Sequence, residues 1–229
     1  MMESKLESIK KILLEKSSTK QLVFRNTKQV FEQLKEIMKS LTNELTNEIY
    51  KVDPSVEIKF YDKGELELHL KFSGDTLVFM MHTNVFDFDP NHYIQKTSYV
   101  KEDPMREFCG MIQIYNFLAD SIKYNREGDM GFLVGRIFVN KEKHFFIEGK
   151  RPLAFLYNDF ACCTINEVTL RNVIIEAMYY CLNFDLLAPP LDAINYITVE
   201  QKNLMSFSGG VPTGKHLGFR METENEAGV

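Results

Sequence analysis

The run FLVGRIFV at positions 132–139, followed by NKEK at 140–143 and HFFIEGKR at 144–151, decides the fold of this chain. The first segment is apolar apart from Arg136 and rich in β-branched and aromatic residues. The second is wholly polar, and the third is apolar until it ends in charge. Short apolar runs separated by a polar turn predict two strands of a β-hairpin rather than helical turns. A turn centred on Lys141 and Glu142 sets Glu148 opposite Gly135 or Arg136.

Working outward toward the N-terminus, residues 65–72 alternate strictly. Leu66, Leu68, Leu70 and Phe72 interleave with Glu65, Glu67, His69 and Lys71, the period-two signature of a strand with one wet face. Val56, Ile58 and Phe60 show the same period before the turn Asp62-Lys63-Gly64. After Ser73-Gly74-Asp75 the chain re-enters an apolar stretch, Thr76–Val85. These three runs predict an antiparallel meander. Upstream, residues 3–16 and about 20–51 read as helices. Val30, Phe31, Leu34, Ile37, Met38, Leu41, Leu45 and Ile49 fall at spacings of three and four, a stripe suited to packing on the chain's own sheet. Asp53-Pro54 ends that helix.

Between meander and hairpin, residues 87–104 are a loop-rich insertion holding Pro90 and Pro104. Residues 105–124 read two ways: Met111, Ile112, Ile114, Tyr115, Leu118 and Ile122 suit a helix, which the length of the segment favours, while 111–115 alone suit a strand. Beyond the hairpin, a short strand is expected over Leu153–Tyr157. A helix is expected over Ile165–Phe184, capped by Thr164 with Glu167 in the capping-box position. Pro189-Pro190 breaks the chain, with shorter elements expected around 191–197 and 199–205.

The predicted fold is therefore α+β: an antiparallel sheet of about five or six strands, built from meander plus hairpin, with N-terminal helices and a C-terminal helix packed on it. The expected organisation is one domain over 1–205, comprising a helical segment 1–51, a core 55–187 and an extension 188–205. Residues 206–229 are expected to form a flexible tail.

Of the 229 residues, 45% are hydrophobic and 26% charged, a globular composition rather than a disordered one. The net charge of −5 argues against a dedicated nucleic-acid binder, which presents a basic face. Charge is unevenly placed. Residues 1–51 hold ten Lys/Arg and seven Asp/Glu, a balance of +3, leaving −8 on the remainder. Cys109, Cys162, Cys163 and Cys181 show no C-x-x-C spacing, and with no secretory leader the expectation is reduced thiols in a cytoplasmic protein. No window approaches the roughly 20 apolar residues of a membrane span.

Four constellations carry chemistry on paper. Asp129, Glu148 and Lys150 resemble the acid…acid-x-lysine pattern of PD-(D/E)xK nucleases, in which two carboxylates share a divalent ion. The hairpin register opposes this by leaving Asp129 about 20 Å out of step with Glu148. A cross-strand Arg136–Glu148 ion pair is the expectation instead. His82, Asp87, Asp89 and His92 form the densest cluster of metal-ligand types, at a spacing that matches no defined site. Arg136, Lys150 and Arg151 form a basic trio suited to phosphate contact. Gly209–Lys215 has P-loop spacing but is followed by His216 where the magnesium-binding hydroxyl belongs.

The predicted element order over residues 27–184 (helix, three-strand meander, helix, hairpin, helix) resembles that of type III secretion chaperone-like folds. That resemblance implies an acidic protein that dimerises and binds another polypeptide. The expected function is a non-catalytic interaction or regulatory module with a protein partner and no cofactor, self-associating through its N-terminal helix. A metal-dependent nuclease or phosphodiesterase and a small-ligand sensor with a pocket lined by Tyr61, Tyr157 or Phe160 are the alternatives.

Overall fold

The strands lie in the sheet in the order in which the chain makes them. In the computed structural model, which describes residues 2–185, 188 and 196–208, β1 (Ile58–Asp62), β2 (Glu67–Phe72), β3 (Asp75–Phe86), β4 (Cys109–Leu118), β5 (Phe132–Val139) and β6 (Phe145–Gly149) form one antiparallel meander. This is the predicted α+β class, with six strands. The run at 209–215, the tail beyond it and most of 191–197 lie outside the described residues.

One face of the sheet is covered by helix. The N-terminal helix α1 (Met2–Ile12) passes through a single π-turn at Leu13–Ser17 into α2 (Ser18–Ile49). The two predicted helices are thus joined without a break. Val30, Phe31, Leu34, Ile37, Met38 and Leu41 of α2 are buried against the sheet. Beside them lies α6 (Glu167–Leu182), which buries Leu170, Val173, Ile174, Ala177, Met178 and Cys181 in the same cluster. Its cap is Asn166, whose side chain accepts from the Thr169 amide. Thr164, the predicted cap, lies before the helix in a bridge to His144.

The predicted helix in 105–124 is instead β4 followed by the five-residue helix α4 (Ala119–Lys123). The misreading has a physical source. Ile112 and Ile114 are buried beneath α2, while Met111 and Cys109 enter a second cluster on the other side. A strand buried on both faces puts apolar residues at consecutive positions, and these also satisfy helical spacing. With β4 a strand, the element order that resembled the type III secretion chaperones is not the one present.

The insertion at 87–104 supplies the second cover. A 3-10 turn (Tyr93–Lys96), α3 (Ser98–Glu102) and a further 3-10 turn (Pro104–Glu107) lay Ile94, Tyr99 and Val100 against Met111, Phe138, Phe146 and Phe160. Phe138 and Phe146 stack with centroids 5.0 Å apart, and Phe160 meets Phe146 edge-on. The segment after Pro152, predicted as strand, is a single helical turn, α5 (Leu153–Leu156), anchored by the buried Leu153.

Candidate functional site

The observed hairpin register puts Glu148 opposite Arg136, one of the two predicted partners. A β-bulge at Ile114/Tyr115 lies beside this row, opposite residues 133–135 of β5. One arginine NH2 donates to Glu148 Oε2. The other carboxylate oxygen, Oε1, lies 2.8 Å from His92 Nε2. His92 comes from the insertion, 56 residues away, and its ring sits among Phe88, Tyr93 and Phe146 at centroid distances of 4.8, 4.9 and 6.1 Å. Glu148 thus bridges a guanidinium and an imidazole at the rim of the aromatic cluster. The other ring nitrogen, Nδ1, is buried without a hydrogen-bond partner.

Asp129 is held elsewhere. Its side chain is 1% exposed, its Oδ2 accepts from Ser121 Oγ at 2.6 Å, and Arg126 NH1 lies 3.8 Å away. Asp129 and Glu148 therefore have separate partners. The loop carboxylate serves to close the turn between α4 and β5.

The four metal-ligand candidates also disperse. His82 Nδ1 accepts from the Asn84 amide, Asp87 from the Phe88 amide and Asp89 from the Asn91 amide. The aspartates are turn-forming acceptors of the kind that precedes Pro90, and His92 turns to Glu148. Among the described residues, no three His, Cys, Asp or Glu side chains converge as metal ligands.

The basic trio is divided. Arg136 is engaged by Glu148, whereas Lys150 and Arg151 line a separate open cleft of about 350 Å³ with Gly149, Ala154, Phe155 and Asn158. Of the aromatics expected in a groove, Phe160 is core, Tyr157 is half-buried against Phe145, and Tyr61 is exposed on the edge strand β1.

A different surface stands out on α1. Leu6, Ile9, Ile12, Leu13 and Leu14, on α1 and the π-turn after it, are 52–73% exposed. Among the described residues, α1 makes no extensive contact beyond that π-turn. No described helix is long and apolar enough to cross a membrane. No protein family, curated protein or solved structure matches this chain.

Proposed function

We propose that this protein is a non-catalytic interaction module that self-associates through α1. The supporting observation is the exposure of five large aliphatic side chains on one short helical stretch that the rest of the described chain leaves uncovered. Apolar area stabilises when it leaves water, by about 25 cal/mol per Å², and a concentrated patch of it is a hallmark of interaction sites.

A second copy is the fitting occupant because an apolar stripe of this kind is self-complementary when two copies meet about a two-fold axis. In antiparallel pairing the leucine and isoleucine side chains of one copy cover those of the other. Light scattering on the eluting protein tests this. The wild type is expected at twice the chain mass, and Leu6→Ser/Ile9→Ser/Leu13→Ser at the mass of one chain. A wild type that stays monomeric at every concentration removes the proposal.

A further inference from the structure

We infer that the cleft between the end of β6 and α5 is a binding site for a small aromatic phosphate, of the class of a nucleoside monophosphate. The inference rests on residues of β6, the link to α5, α5 itself and the chain just beyond, none of which belongs to α1, so it stands apart from self-association.

The first support is charge. The chain carries a net −5, yet Lys150 and Arg151 are adjacent, exposed and without an ion-pair partner among the described residues. Arg136, the nearest cation in the hairpin, is already taken by Glu148. Two uncompensated cations lining one depression are a phosphate-binding pair, one a point charge and the other a planar fork.

The second support is the aromatic wall. Phe155 is 69% exposed and lines the same cleft. An open phenyl face beside cations is the arrangement on which a heterocyclic base stacks while its phosphate is neutralised. The third is a polar group: Asn158 also lines the cleft, and its amide both donates and accepts, as a base edge requires.

The backbone beneath is fixed. A Cβ on Gly149 would stand 2.4 Å from the Val134 carbonyl oxygen and 2.6 Å from Gly135 Cα, so only glycine lets the chain pass there. The Lys150 amide donates to the Val134 carbonyl at 2.9 Å, and its own carbonyl accepts from Ala154. The cations are thus presented from a held backbone. At about 350 Å³ the cleft is near the lower end of small-ligand sites, about 300 Å³. One base and one phosphate fit that size, and the chain's net charge of −5 disfavours a longer strand.

Calorimetric titration of the full chain with AMP, ribose 5-phosphate, adenosine and inorganic phosphate tests the assignment. AMP is expected to bind, at least about tenfold tighter than ribose 5-phosphate, in keeping with the contribution of one stacked base. Lys150→Ala/Arg151→Ala is expected to abolish AMP binding. Phe155→Ala is expected to reduce AMP to the level of ribose 5-phosphate. All three side chains are exposed, so circular dichroism should show each variant folded. No binding of AMP at millimolar concentration overturns the inference, as does equal affinity for AMP and ribose 5-phosphate, or AMP binding unchanged by either variant.

Discussion

His69 is buried on β2, at 5% exposure, with Glu67 Oε1 2.5 Å from its Nε2. Burial lowers its pKa, and the neighbouring carboxylate only partly pulls it back. A histidine whose folded pKa lies below its unfolded value of about 6.5 binds its proton more readily in the unfolded chain. Stability is therefore complete above about pH 6.5 and declines as the pH falls through the folded pKa. Melting temperatures at pH 7.5 and 5.5 should show a fall in the wild type that His69→Gln reduces, and an unchanged fall in that variant would contradict the assignment. Asn140 is the other residue on which much converges. Its Oδ1 accepts from the Glu142 and His144 amides, and its Nδ2 donates to Tyr99 OH at 2.9 Å. Asn140→Ala strands buried polar partners and should cost about 1–3 kcal/mol in urea unfolding. The sequence marks Asn140 only as the start of a polar turn. It likewise reveals Arg136–Glu148, because hairpin register is local. It says nothing of His92–Glu148, because that contact depends on how an irregular insertion folds back over the sheet.

At the scale of elements, α2 and β4 approach so closely that Gly110 is obligatory. A Cβ there would lie 2.1 Å from Thr27 Oγ1, which itself donates to the Val23 carbonyl within α2. Gly110→Ala should destabilise the protein by about 1–3 kcal/mol through overpacking. Gly128→Ala, at a position with nothing within 4 Å, should have little effect in the same denaturant titration. Equal effects would mean that the helix does not press on the strand. This contact also explains which elements are legible. β1 and β2 show their period directly, the hairpin shows as two apolar runs about a polar turn, and the stripe of α2 is one-sided. β4 is covered on both faces, so its apolar residues carry no single period, and only the glycine at its start hints at a close crossing.

For the molecule as a whole, the sheet is the shared wall of two apolar clusters, one under α2 and α6 and one under the insertion. Phe146 is fully buried in the second, in ring contact with Phe88, Phe138 and Phe160. Phe146→Ala should therefore cost about 3–5 kcal/mol, which makes the insertion an integral layer of the fold. α1 stands in the opposite position. It contributes no described side chain to either cluster, although it and the π-turn after it leave Leu6, Ile9, Ile12, Leu13 and Leu14 exposed. If its apolar stripe serves association, removing residues 1–12 separates stability from assembly. At protein concentrations low enough to leave both forms monomeric, urea midpoint and slope should match those of the full chain. At high concentration the full chain should double its mass and the truncated form should not. A large loss of midpoint on truncation would place α1 in the folded core and deprive the association surface of its helix.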